Sequence, residues 1–269
     1  MLTTAQIRRR RVSSASAGGH SILDPSALGN LAAWYSARTL SSLWQDSGRT
    51  APITAQGETV GAWDDLSGNS RHLTQGTGSA EPTYRTGDIQ GRPSLLFDGT
   101  DFLSSTEAWV ATVFGGVDLP FSVLMVLMQT DLTGIQSVCN LGRNAANGYR
   151  AFRSNGGTPQ LTSTPDGGGA VSNTATTGFI TVSTPLVLGM RYDGVNAELF
   201  NNFTRIYGPT ASLAVGSTVS ADRIGVGALV RNTNANFYIG HIAEVVVCTT
   251  MTEAERMGVT SYLRRAYGL

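Results

Sequence analysis

Apolar residues in this chain gather in runs of strand length, and turn-forming residues close them before they reach the length of a helix. Phe121 to Gln129 is the most apolar run and predicts a strand in the middle of a sheet. Val60 to Asp65 runs into Ser67-Gly68-Asn69, and Ser94 to Phe97 is closed by Asp98-Gly99. Leu186 to Tyr192 and Ala197 to Phe200 flank Asp193-Gly194, which predicts a two-residue type I′ hairpin with both central φ angles positive. Asn201-Asn202 is a second tight-turn candidate, because Asn tolerates the left-handed region. Phe237 to Cys248 predicts either a strand pair or one bent strand, and Gly156 to Thr177 predicts short edge strands and long loops. A chain built this way must bury its runs between sheets. The 32 glycines and the 14% of charged residues agree with many turns and a low helix content.

One segment breaks the pattern. Thr252-Glu253-Ala254-Glu255 has the form of a capping box, and Val259, Tyr262, Leu263 and Ala266 recur at helical spacing. Arg264 and Arg265 suit the carbonyl end of that helix, and Gly268 suits its termination. The other end is different again. Residues 1–27 read as an arm: Met1 to Ile7 could form one or two helical turns, Arg8, Arg9, Arg10 and Arg11 follow, and residues 13–19 have linker composition. Such an arm is either a frayed terminus or a segment that orders on a partner. The docking reading assigns partner contacts to Leu2, Ile7, Arg8, Arg9, Arg10 and Arg11. Residues 28–269 then form one domain, a length that a single large sandwich uses.

Three stretches taken in order resemble the concanavalin A-like lectin/glucanase sandwich domains, of the laminin-G-like group found in bacterial and phage proteins. The first is Trp63-Asp64-Asp65-Leu66-Ser67-Gly68-Asn69, running on to Pro82-Thr83-Tyr84 and Gly91-Arg92-Pro93-Ser94-Leu95-Leu96-Phe97-Asp98-Gly99. The second is Arg191-Tyr192-Asp193-Gly194 with Leu199-Phe200-Asn201-Asn202. The third is Gly240-His241-Ile242-Ala243-Glu244-Val245-Val246-Val247, followed by the capped helix. The resemblance spans roughly residues 30 to 269 and implies an all-β fold: a two-sheet antiparallel β-sandwich of jelly-roll type with a short C-terminal α-helix and an extended N-terminal arm.

That resemblance raises glycoside hydrolysis, which needs two carboxylates flanking one bond. Related glucanases carry them on one strand as Glu-x-Asp-x-x-Glu or a close variant. Here Glu244 stands alone on its run and Glu198 has no acidic neighbour at that spacing, so no catalytic residue is expected. His20, His72 and His241 lie far apart, and Gly167-Gly168-Gly169 lacks the lysine and context of a phosphate loop. No cofactor is expected. Calcium is the one metal that lectin-like loops make worth weighing; Asp64, Asp65, Asp98 and Asp101 are its candidate ligands, and turn capping is the favoured role for them. Cys139 and Cys248 sit in apolar runs and are expected as buried free thiols. For stacking on a ligand, Trp34, Trp44, Trp63, Trp109, Tyr149 and Tyr207 are available. Trp63 is expected in the core, and Trp109 with Tyr149 are the preferred ligand contacts, Trp109 from a loop.

Nineteen basic and nineteen acidic residues give no net field toward nucleic acid or an anionic membrane. All the basic residues are arginine, the side chain suited to bidentate contacts. No run is long enough to span a membrane, and the N-terminal arginines precede Ser, Ala and Gly, where a secretory signal has an apolar core. The expected function is therefore a non-catalytic phage virion protein, such as a head decoration, spike or tail-tip component. It would be located in the virion, dock on other virion proteins through residues 1–27, present the sandwich to a host glycan, and assemble as a homo-oligomer. The alternatives are a bacterial carbohydrate-binding module or a glucanase-type hydrolase.

Overall fold

The computed structural model describes residues 21–175, 179–211 and 218–269. The arm residues Leu2, Ile7 and Arg8 to Arg11 lie outside that set. Two antiparallel sheets face each other across one core. The eight-stranded sheet runs Thr204–Ala211, Asn196–Asn201, Leu186–Tyr192, Phe121–Gln129, Ile239–Cys248, Arg92–Asp98, Thr83–Ile89 from edge to edge. Its eighth strand, Leu31–Ser36, pairs with the second half of Ile239–Cys248. The nine-stranded sheet runs Val171–Thr174, Thr158–Thr164, Tyr149–Asn155, Ile135–Gly142, Arg223–Val226, Leu103–Ser105, Leu73–Thr74, Ala62–Trp63, Leu43–Trp44. The two-sheet sandwich with a C-terminal helix is the fold expected from the sequence.

Phe121–Gln129 is central, between Leu186–Tyr192 and Ile239–Cys248. Its alternation is hidden because both faces are buried. Phe121, Val123, Met125 and Leu127 enter the core between the sheets, whereas Leu124 and Val126 meet a second apolar cluster under the terminal helix. A strand covered on both sides has no polar face to show. Ile239–Cys248 is one bent strand, with a register shift between Ile242 and Glu244 against its neighbour.

Turn chemistry departs from expectation in two places. At Asp193-Gly194 the pairing of Asp193 with Asn196 makes Gly194 and Val195 the central residues, and only Gly194 has a positive φ, at 98°. This matches a II′ turn, with Gly at the first central position. Asp193 moves outside the turn, where Oδ1 accepts from the Val195 and Asn196 N–H groups at 2.8 and 2.6 Å. Two consecutive positive φ angles occur instead at Gly156 and Gly157, between the paired residues Asn155 and Thr158. There the expected edge strand, Thr158–Thr164, is an interior one, paired on both sides. Asn202 adopts the left-handed conformation at φ 53° as expected.

The terminal helix, Glu253–Tyr267, carries its full capping box: Thr252 Oγ1 accepts from Glu255 N–H at 3.3 Å while Thr252 N–H donates to Glu255 Oε2 at 2.8 Å. Gly268 ends it with φ 69°. Val259, Leu263 and Tyr267 seal the outer face of the eight-stranded sheet. Residues 21–27 lie along this helix. Leu23 N–H donates to the Gly258 carbonyl at 3.0 Å, and a Cβ on Gly258 would stand 2.7 Å from Leu23 Cβ. Glycine in a helix costs about 1 kcal/mol against alanine, so this close approach explains its presence. Gly258→Val is expected to lower stability by about 1–3 kcal/mol through overpacking. A urea midpoint equal to that of the parent would show that Leu23 adds nothing to the folded state.

Candidate functional site

One buried polar cluster lies under the terminal helix, around Glu244. Glu244 is fully buried there. Trp34 Nε1 donates to its Oε1 at 2.8 Å, Ser36 Oγ donates to Oε2 at 3.1 Å, and Arg38 Nε stands 3.5 Å from Oε2. These partners come from one short stretch because Ser36 pairs with Glu244 across the sheet. Trp34 and Ser36 then project to the same face, and Arg38 follows just past the strand. Burial pushes the Glu244 carboxyl above its ordinary range, against the opposing pull of Arg38 and the hydrogen bonds.

Arg38 links that centre to the surface. Its Nη2 donates to the Tyr262 hydroxyl at 2.8 Å, and its guanidinium carbon lies 5.7 and 5.2 Å from the ring centres of Tyr262 and Tyr267. Beside it opens a cleft of about 380 Å³ lined by Ile22, Arg38, Arg92, Tyr262, Arg265 and Ala266. Arg92 begins a strand, Arg265 and Ala266 stand in the last turn of the helix, and Ile22 comes from the segment docked along it. Four parts of the chain thus contribute to one concavity whose walls are guanidinium on one hand and apolar on the other.

The sequence candidates are dispersed around this centre. Trp109 stands on a short helix, Ala108–Phe114, and not on a loop, because Val110 and Phe114 at helical spacing both enter the core. Its Nε1 donates to Ser105 Oγ at 3.2 Å, and the Arg71 guanidinium carbon lies 4.8 Å from its ring centre. Tyr149 lies at the nine-stranded sheet beside a different cation, Arg231, at 5.9 Å. Arg231 belongs to the stretch Leu229–Ala235, which folds over that sheet. Val230 is held there by both polar atoms of Asn140, at 3.1 and 3.3 Å. Trp63 is fully buried and packs 5.8 Å from Tyr35, Trp44 Nε1 donates to Asp64 at 2.8 Å, and Tyr207 is half-buried against the core.

The weighed carboxylates have protein partners. Asp65 accepts from the backbone N–H groups of Trp34, Ser67 and Arg71 and from Ser67 Oγ, which ties the Ser67-Gly68-Asn69 turn to the strand Leu31–Ser36. Asp64 meets Arg49 at 3.2 Å and His72 at 3.0 Å. Asp98 accepts from Thr100, and Asp101 accepts from Asp98 N–H at 3.0 Å. Among the described residues no group of three or more His, Cys, Asp or Glu side chains is placed to hold a metal ion. Glu198 lies between Arg191 and Arg205, with Arg205 Nε at 2.8 Å. Cys139 and Cys248 are free, buried thiols, one in the core between the sheets and one under the helix, and burial pushes both up to about 12. No described helix is long and apolar enough to cross a membrane.

Sequence reasoning missed Arg38, Arg92 and Arg265 as a group. Each is one arginine among nineteen, separated by long stretches of chain, and only the sandwich and its helix bring them together.

No protein-family model matches the sequence, and no curated protein matches it either. Solved structures do. The CBM40 of the Ruminococcus gnavus IT-sialidase, bound to α2,3-sialyllactose, superposes with a TM-score of 0.53 at 17% identity, over 62% of this chain and 95% of that one. Domain 4 of AbnA, a GH43 extracellular arabinanase from Geobacillus stearothermophilus, in complex with arabinotriose, gives 0.55 at 15% identity over 86% of this chain and 98% of that one. The binding domain of botulinum neurotoxin serotype G gives 0.55 at 11% identity over 87% of this chain and 51% of that one. At these identities the likeness establishes the β-sandwich fold alone.

Proposed function

We propose that this chain is a non-catalytic carbohydrate-binding module. The observation that carries the proposal is the cleft itself: on a lectin-like sandwich, fork-shaped donors, the Tyr262 side chain and an apolar wall converge on a space near the low end of the ~300–1,000 Å³ that small-molecule sites occupy. Sugars call for this mixture, since hydroxyl-bearing faces need donors and the C–H faces need apolar or aromatic contact. The two superposed domains named with sialyllactose and arabinotriose support the same reading by analogy of fold. Glu244 and Glu198, the two carboxylates weighed for glycoside hydrolysis, are each engaged by arginine within the fold and sit on different strands, Ile239–Cys248 and Asn196–Asn201.

Placement on a phage particle draws on Leu2, Ile7 and Arg8 to Arg11, and no described feature favours it over the carbohydrate reading. A broad panel of neutral and acidic oligosaccharides, screened against the whole chain, tests the proposal. Binding to at least one member is expected, and Ala266→Trp, which narrows the cleft from the last turn of the helix, is expected to weaken it about tenfold or more; its melting temperature is measured alongside, because Ala266 packs partly against the cluster under the helix. A panel without a single binder would end the carbohydrate reading. Binding untouched by Ala266→Trp would move the site elsewhere on the sandwich.

A further inference from the structure

The arginines among the described residues are almost all spoken for. Arg49, Arg85, Arg143 and Arg223 pair with aspartates, Arg191 and Arg205 with Glu198, and Arg38 with Glu244. Others reach backbone carbonyls, side-chain amides or aromatic rings. Among the described arginines, only Arg92 and Arg265 have no side-chain hydrogen bond, ion pair or ring contact, and both are exposed on the walls of the same cleft. The third arginine there, Arg38, is held by Glu244 below and by Tyr262 at the side. The cleft therefore combines one fixed guanidinium with two uncommitted ones.

We infer that the cleft takes the carboxylate of a uronic acid residue in a glycan, with Arg92 and Arg265 supplying the charge-assisted contacts and Arg38 a preset third donor. This rests on the carbohydrate reading above and names its ligand class. A planar carboxylate is what a guanidinium fork matches best, by two parallel N–H···O bonds. Three positive groups around a space of this size also oppose one another until an anion enters. Opposing charge is modest. Burial and then Glu244 raise the Tyr262 hydroxyl, with a smaller contribution from Asp24, but Glu244 is buried and engaged with Arg38, Asp24 Oδ1 is bonded to Ser26, and the carbonyl end of the helix contributes only a partial negative charge. The apolar contacts of Ile22 and Ala266 leave a wall for the sugar ring, which a free inorganic anion would not use.

The test is calorimetric titration of the whole chain with trigalacturonate, its neutral methyl ester and acetate, repeated with the Arg92→Ala/Arg265→Ala double variant. Both side chains are exposed and unpartnered among the described residues, so the variant is expected to keep the parent's melting temperature. The expected result is binding of trigalacturonate, at least about tenfold weaker binding of the ester, and loss of about tenfold or more in affinity in the double variant, with the acid's affinity falling as salt rises. Arg92→Lys/Arg265→Lys should fall between, keeping charge while losing the fork. Equal binding of acid and ester, or a double variant that binds like the parent, overturns the inference while leaving the carbohydrate reading in place. Acetate that displaces trigalacturonate at equal concentration overturns it too, by making the cleft a simple anion site. Failure of trigalacturonate alongside binding of neutral panel members sinks the uronate assignment alone; failure of every glycan sinks both.

Discussion

Glu244→Ala is expected to lower the free energy of unfolding by about 2–4 kcal/mol, measured by urea denaturation. The carboxylate is fully buried, and Trp34 and Ser36 of the strand Leu31–Ser36, with Arg38 two residues past its end, converge on it. Removing it leaves Trp34 Nε1 without its acceptor beneath the helix and Ser36 Oγ with the Tyr267 hydroxyl as its remaining neighbour, so the indole N–H carries the expensive half of a broken buried bond. Arg38 loses less, because part of its side chain reaches solvent. Glu244→Gln keeps one acceptor oxygen and should cost distinctly less than alanine. The Trp34 indole lies against the helix, 6.2 Å from the Tyr262 ring, so its fluorescence reports whether the helix has loosened locally. A loss below about 1 kcal/mol would mean that water satisfies these donors once the carboxylate is gone, and the network would not be what fastens the helix to the sheet.

Asp101 is expected to draw stability down as pH rises from about 4 to about 7, against the opposite contribution of carboxylates held below their ordinary range such as Asp46, Asp166 and Asp193, and Asp101→Asn is expected to remove the Asp101 contribution. Asp101 is 5% exposed. Burial, helped by neighbouring Asp98, pushes its carboxyl up to about 7 against the bond from Asp98 N–H. The folded state then holds a proton in a range where the unfolded chain has released its own, so folding is favoured on the acid side and the gain is lost through the folded pKa. An interval of about three pH units corresponds to at most about 4 kcal/mol. Local relaxation at the turn reduces this to an expected difference on the order of 2 kcal/mol at pH 8. Asparagine keeps an oxygen for Asp98 N–H and carries no charge, so the variant should match the parent at pH 4 and exceed it at pH 8. Glu244, raised by burial, acts in the same sense in both proteins, whereas His241, lowered by burial, favours folding as pH rises toward 6.5. Comparing variant with parent cancels both. Parallel curves of stability against pH would show that Asp101 is ionised in the folded protein across the range.

The two experiments address different layers. Glu244 fastens the element that carries Arg265 and Tyr262, so a weakened helix should also loosen the cleft. Asp101 lies in the turn after the strand that Arg92 begins, and its effect should leave ligand binding at fixed pH unchanged. The two variants therefore separate support of the cleft from general stability.

Much of the architecture was legible because local chemistry decides it. A Thr followed three residues later by Glu satisfies two backbone donors wherever it occurs, and the helix over Glu253–Tyr267 begins there and ends at Gly268 as expected. Phe121–Gln129 was legible as a central strand because only burial on both faces tolerates so continuous an apolar run. The Asp193-Gly194 turn was legible as a turn but not in its type, since a one-residue shift in pairing changes which residues are central and no local preference fixes that shift. Trp109 was misread because Val110 and Phe114, which pull its segment into a helix, are helical only when a core waits beneath them.

The sequence by itself determined short strands, the turns that close them and one capped helix, because apolar runs, turn residues and caps act over a few residues at a time; the two-sheet sandwich was what the resemblance implied. Only the tertiary structure decided where its charged groups meet. Arg38, Arg92 and Arg265 are ordinary surface arginines in the linear chain. They become a cleft because the helix must cover the apolar outer face of Phe121–Gln129 and Ile239–Cys248, and its last turn therefore comes to rest beside the ends of Leu31–Ser36 and Arg92–Asp98. Burial of that face sets the position of the helix, and the position of the helix sets the site.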